Sequence, residues 1–277
     1  MEDTVPRHPA PTAESAVPDA TVAPRATVVL VTGGTGTLGR HVVRLARAGG
    51  HEVRVLSRSG APGTLAGDLR TGEGVATAVR GVETVVHCAS SPTRPKDVDV
   101  AGTERLLEVA AKAGVQHIVF PSIVGIDRNQ GFPLYRAKLA AERLVRASSV
   151  PWTIQRATQF HELIRLFLGG LDRVPLLLLV PRGFRTQPVA SAEVAARIVG
   201  LVGAPAAGRA PELGGPQVRS FASLAQTYLD HVGHDKRIVE VPVPGSAARA
   251  FRAGAQVSQG GDLGRVTWEQ FLADRPT

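Results

Sequence analysis

Residues 27–39 read Thr27-Val28-Val29-Leu30-Val31-Thr32-Gly33-Gly34-Thr35-Gly36-Thr37-Leu38-Gly39. A β-branched, apolar run ends in closely spaced glycines, and the amphipathic segment 38–50 follows directly, which predicts strand, tight turn and helix in succession. Each glycine has a task in such a turn. Gly33 permits the sharp reversal, Gly36 lets the backbone approach a pyrophosphate, and Gly39 allows helix to pack closely on strand. The free N–H groups of the helix start offer donors to phosphate oxygens. Gly33, Thr35, Gly36, Thr37, Leu38 and Gly39 are therefore candidates for holding a dinucleotide. Arg40 follows as an added positive charge or a solvated helix residue.

Outward from this turn the pattern repeats. Strand-like runs at 27–32, 52–58, 83–90, 116–122 and 152–158 alternate with helical stretches, and a short further strand falls near Leu65–Gly67. Continuous apolar strands separated by helices imply a parallel sheet covered on both faces, an α/β fold. Gly49-Gly50, Gly81 and Gly114 stand where helices should stop. After Arg156 the alternation loosens. Helices at 191–202 and 220–232, a strand at 236–243 and a last helix at 267–274 suggest a small C-terminal α+β lobe over the strand ends, where open parallel sheets bind ligands. The expected organisation is a Pro/Ala-rich tail (1–26) that does not fold, a nucleotide-binding domain (27–156) and a substrate lobe (157–277).

The chain has 277 residues and a net charge of +8, and only four of its 32 basic residues are lysine. The arginines are scattered and aromatics are few, so neither the basic stripe nor the stacking residues of a nucleic-acid binder are visible. The single cysteine, Cys88, has no partner for a disulfide or a CxxC zinc site, which fits a reducing cytoplasm. His117, His231 and His234 show no ligand spacing, and no metal is expected. The most apolar late stretch, Leu163 to Val180, is broken by Arg165, Gly169, Gly170, Asp172, Arg173 and Pro175, too short for a membrane span of about 20 residues. The expectation is a cytoplasmic protein with neither membrane nor nucleic-acid partner.

The second strand ends at Ser57-Arg58. About 20 residues past the glycines an acid would bind the ribose 2′-hydroxyl of NAD, and none stands there. Arg58 between two serines suits a 2′-phosphate through charge-assisted bonds, which favours NADP(H) over NAD(H). Asp68 after the third strand is placed either to accept from an adenine amino group or to serve a turn. Ala89 and Ser90 end the fourth strand, where small residues let a cofactor lie against the backbone.

The segments TGGTGTLG, LSR, GDL, HCAS, FPSIVGID and YRAKLAAE together resemble the atypical short-chain dehydrogenase/reductases, specifically the NmrA-like or NAD(P)H-binding group. The resemblance spans most of residues 27 to 275 and is loose over the last 70 or so. It implies a Rossmann-type, doubly wound parallel sheet. It also implies a Ser–Tyr–Lys set in which the tyrosine protonates the carbonyl oxygen, the serine hydrogen-bonds it, and the lysine holds the nicotinamide ribose.

Ser122 and Lys138 match that set. The YxxxK tyrosine position, however, is Leu134, and Tyr135 stands three residues before Lys138, about 100° around a helix from the expected phenol. Three readings stay open: Tyr135 swings in from a late-starting helix, another group such as His161 donates the proton, or hydride chemistry is lost. Thr158 to His161 follow the sixth strand and should line the pocket beside the nicotinamide. The function expected is NADPH-dependent hydride transfer to a small, largely apolar carbonyl or enone, with the Leu and Phe residues of 163–180 shaping the pocket, by a monomer or homodimer. The alternative is an NADP(H)-binding sensor or regulator without turnover.

Overall fold

A computed structural model describes residues 26–274; the tail expected at 1–26 lies almost wholly outside the described residues. The first half runs β1 (Val28–Thr32), α1 (Gly39–Ala48), β2 (Glu52–Ser57), β3 (Leu65–Ala66), α2 (Val75–Val79), β4 (Thr84–His87), a π-helical turn (Lys96–Ala101) leading into α3 (Gly102–Lys112), β5 (His117–Ile123), α4 (Pro133–Ala147) and β6 (Trp152–Ala157). Then follow α5 (His161–Leu171), β7 (Leu177–Pro181), β8 (Arg185–Thr186), α6 (Ser191–Val199), β9 (Gly208–Arg209), β10 (Leu213–Gly214), β11 (Arg219–Ser220), α7 (Phe221–Val232), β12 (Arg237–Val241), α8 (Ser246–Arg252), β13 (Asp262–Leu263) and α9 (Trp268–Ala273).

The main sheet is parallel, in the order β3-β2-β1-β4-β5-β6-β10-β13, with β9 also on β6. Chain order reverses between β1 and β4, the switch point at which open α/β sheets bind nucleotides. The strands are apolar on both sides because both faces are covered. Leu30, Val85, Ile118 and Ile154 pack against Leu106, Ala110, Ala141 and Val145, whereas Val29, Val31, Val86 and Val119 pack against Val42, Val194 and Ile198. This is a Rossmann-type α/β fold.

Beyond β6 the chain serves two structures. β9, β10 and β13 return to the main sheet, while α5, β7, α7, α8 and α9 enclose a second core around Leu168, Leu178, Phe221, Leu224 and Trp268. Gly125, at φ +76°, marks where the two halves touch: a Cβ there would run into the Ala255 carbonyl oxygen. Helix α5 is an element that the glycines at 169–170 concealed in the sequence.

Candidate cofactor and substrate site

At the switch point, Gly33 has φ +65°, and a Cβ on it would lie 2.7 Å from the Ala89 Cα. The turn after β1 therefore rests on the backbone after β4. A Cβ on Gly39 would fall on the Gly33 carbonyl oxygen and 2.7 Å from the Gly34 Cα, so only glycine lets α1 pack this closely. Gly36 would meet nothing but the Gly33 oxygen, at 3.2 Å. A cleft of about 860 Å³ opens here. Gly33, Thr35, Gly36, Ser57, Arg58, Asp68, Ala89 and Ser90 line it, as do Arg70, Ser91 and Arg94, which the sequence did not single out. Leu38 and Gly39 are buried beneath the turn, and Thr37 and Arg40 are exposed outside the lining.

The cleft's lip is basic. Arg58 is exposed with no hydrogen-bond or ion-pair partner among the described residues, beside a Ser57–Ser59 hydroxyl pair at 3.0 Å. Asp68 is committed to Arg70: its two oxygens accept from the Arg70 Nε at 2.9 Å and Nη2 at 2.6 Å and from the Arg70 backbone N–H at 2.8 Å. The Arg70 hydrogen bonds hold the Asp68 carboxyl below its usual range.

Beneath the cleft runs a buried polar chain whose hydrogens can be assigned. The Thr103 hydroxyl donates to the Asp99 carbonyl at 2.6 Å, so it accepts from His87 Nε2 at 2.9 Å. Burial, aided by the Lys138 charge, pushes the His87 pKa down to about 3, so the imidazole is neutral at pH 7 and its Nδ1 accepts from the Thr32 hydroxyl at 2.6 Å. Next to it, burial pushes the Cys88 thiol up to about 12, which makes it a packing residue and not a nucleophile.

The π-helical turn presents Asp99, a buried carboxylate that accepts from the Ser90 hydroxyl at 2.6 Å and the Ser91 N–H at 2.9 Å and ion-pairs with Lys138 at 3.3 Å. Lys138 also lies 4.8 Å over the Phe120 ring. It is 6% exposed, so it is not an ordinary surface lysine. Asp99 was missed in the sequence, because a lone acid in a helical stretch reads as a solvated residue.

Ser122 Oγ, at the end of β5, is buried and has no partner among the described residues. Helix α4 begins at Pro133, which places Tyr135 in its first turn, buried, with Leu134 only half-buried. Burial raises the Tyr135 pKa and the neighbouring Gln159 side chain opposes that rise. Gln159 accepts from the Thr186 hydroxyl at 2.7 Å, while its Nε2 is buried. From Tyr135 a row of aromatic contacts runs through Phe132, Phe251, Phe184 and Phe221 to Phe167, each ring 4.8 to 6.2 Å from the next.

His161 stands apart from this group. Its Nε2 lies 3.0 Å from the Val266 carbonyl, its ring packs against Phe271 at 5.0 Å and Trp268 at 5.6 Å, and burial lowers its pKa. These are the contacts of a core histidine. The stretch 163–180 divides: Ile164, Leu168, Leu178 and Val180 enter the second core, and Leu163, Leu166, Leu176 and Leu179 are exposed.

Residues 33–163 match the model of the NAD(P)H-binding family. The photosystem II assembly factor Ycf39 of Trieres chinensis is 32% identical over 168 residues, 54% of this chain and 52% of that protein. A 3-beta-hydroxysteroid dehydrogenase of Mycolicibacterium neoaurum is 37% identical over 112 residues, 33% of this chain and 31% of that one. The match spans about half the length or less of these curated relatives. Among solved structures, a nucleoside-diphosphate-sugar epimerase of Staphylococcus aureus superposes with TM-score 0.72 at 20% identity, covering 88% of this chain and 99% of that one. A short-chain dehydrogenase/reductase superfamily protein of Agrobacterium tumefaciens with bound NAD gives 0.67 at 23%, covering 89% and 95%.

Proposed function

From the match of residues 33–163 to the NAD(P)H-binding family model and the Rossmann-type fold, we propose that the chain is an NADPH-dependent oxidoreductase acting on a small, largely apolar carbonyl or enone. The observation that carries the reading is the glycine-walled cleft with an unpartnered Arg58 at its lip. The residues present fit a dinucleotide: the cradle closes on itself if Gly33 or Gly39 gains a Cβ, and the Arg58 guanidinium is free for a 2′-phosphate. Bound NADPH would supply the hydride.

The chain's own residues then bind, orient and protonate. Gly33, Thr35 and Gly36 hold the phosphates with Ser57 and Arg58 at the ribose. Asp99 fixes Ser90, Ser91 and Lys138 where the strand ends open. Ser122, with its hydroxyl uncommitted, hydrogen-bonds the substrate oxygen. Tyr135 donates the proton from the first turn of α4, the late-helix arrangement among the three readings, because α4 starts only two residues before it and its phenol is buried next to Gln159. A raised pKa keeps that phenol protonated through neutral pH. Phe132, in contact with both Tyr135 and Phe251, favours an uncharged substrate.

The second reading, an NADP(H)-binding regulator without turnover, is favoured by Leu134 at the usual tyrosine position. Following nicotinamide absorbance with NADPH and a panel of carbonyls and quinones separates the two. Oxidation of NADPH that depends on one panel member supports the reductase. Tight NADPH binding with no oxidation across the panel supports the regulator.

A further inference from the structure

Eleven large apolar side chains are markedly exposed among the described residues, and seven of them fall between 163 and 179. Three consecutive elements contribute. Helix α5 turns Ile164 and Leu168 into the second core and leaves Leu163, Leu166 and Phe167 outside, the i, i+3, i+4 spacing of an outer stripe. The connection after it exposes Val174 and Leu176. In β7, Leu178 is buried while Leu177 and Leu179 face out, in register with Arg237 and Val239 of β12. A monomeric surface seldom gathers its apolar residues this way.

Leu176 is the sharpest feature. It is the one non-glycine residue with positive φ among the described residues, at 64°, and its side chain is 77% exposed. A leucine held in the left-handed region and aimed into water gains nothing from the protein around it, and such outliers point to function. The charges nearby lean positive, with Glu162 in the first turn of α5 accepting from the Ser191 hydroxyl. Residues 163–182 carry Arg165, Arg173 and Arg182 against a single acid, Asp172, which Lys236 at 2.7 Å and His234 at 2.8 Å already engage. Glu240, farther along β12, receives the Gly183 N–H. No helix among the described residues is long and apolar enough to cross a membrane.

We propose that the 163–179 face docks on an anionic lipid bilayer, with Leu166 and Leu176 entering the headgroup boundary and the arginines meeting lipid phosphates. An apolar stripe rimmed by arginine is the pattern of an interfacial helix. A second copy of the chain would bring the same positive rim against it, which charge complementarity disfavours. This contact is peripheral, and it departs from the expectation of no membrane partner, which weighed only a spanning segment.

The test is flotation of the full chain with vesicles of phosphatidylcholine alone and with about one quarter phosphatidylglycerol, at low and high salt. The expected result is binding to the anionic vesicles, weakened by salt, and about tenfold or more lost in Leu166→Ser and in Leu176→Gly, as each withdraws a large apolar side chain. Leu176→Gly removes the backbone strain, so an undiminished melting temperature shows that the fold is kept. Absence of wild-type flotation on anionic vesicles would overturn the proposal. So would flotation unchanged in both variants, which would mean that net charge alone binds. A wild-type dimer in sedimentation velocity that dissociates in either variant would assign the face to a second copy and overturn it as well.

Discussion

In the proposed function Arg58 is the residue on which cofactor choice turns, because its guanidinium has no hydrogen-bond or ion-pair partner among the described residues, whereas Arg70 in the same cleft is bound to Asp68. Arg58→Ala should weaken NADPH binding by about 1.5 to 3 kcal/mol, roughly 10- to 150-fold, and leave NADH affinity unchanged, as read by fluorescence titration. Tyr135→Phe should remove most turnover, by part of the roughly 10²- to 10⁴-fold typical of general-acid catalysis, while NADPH still binds. With Tyr135 as donor, Leu134→Tyr adds nothing. A gain in turnover from Leu134→Tyr would instead show that the usual phenol position is the productive one and is vacant in the wild type. At this scale the glycines and Arg58 could be singled out because they stand at strand and helix ends with a spacing that chemistry dictates, whereas Ser122 and Lys138, the latter inside α4, were singled out through the family resemblance. Asp99 was hidden. Its meaning comes from Lys138 and Ser90, which are far apart in sequence and meet it only across the folded strand ends.

The ends of β1 and β4 are tied by one neutral imidazole. His87 has an ordinary pKa near 6.5 and is pushed down to about 3 in the fold, so the unfolded chain binds the extra proton between those values. The stability it contributes is therefore intact above pH 6.5 and declines as pH falls toward 3, by about 1.4 kcal/mol for each pH unit at the steepest. Denaturant titrations at pH 7 and pH 4.5 should show that decline, and a His87→Asn variant should flatten it. A slope identical in the variant would assign the loss to other groups. The strands β1, β4, β5 and β6 were legible because a doubly covered sheet demands unbroken apolar runs. The two-residue strands β8 to β11 and β13 were not, since tertiary pairing, of β9, β10 and β13 within the main sheet and of β8 with β11, and not local propensity, makes them strands.

In the whole molecule, the turn after β5 and the segment after α8 are pressed together at Gly125, and Arg128 reinforces the contact by donating to the Ala255 carbonyl at 2.7 Å. Gly125→Ala introduces both a positive-φ penalty and an overlap with backbone, so a loss of about 2 kcal/mol or more in stability is expected from thermal or denaturant melting. Near-wild-type stability would show that the two halves can separate there without cost. The parallel sheet covered on both faces was readable from alternation, and its Rossmann type from the family resemblance. The return of β9, β10 and β13 to that sheet was not, because pairs such as Leu213 with Ala157 carry no local signature. If the cleft takes a 2′-phosphorylated dinucleotide, as proposed, isothermal titration of the wild-type protein with NADPH and NADH tests that most directly. The expected result is one NADPH per chain, bound about tenfold or more tightly than NADH; equal affinity for the two, or binding of neither, would contradict it.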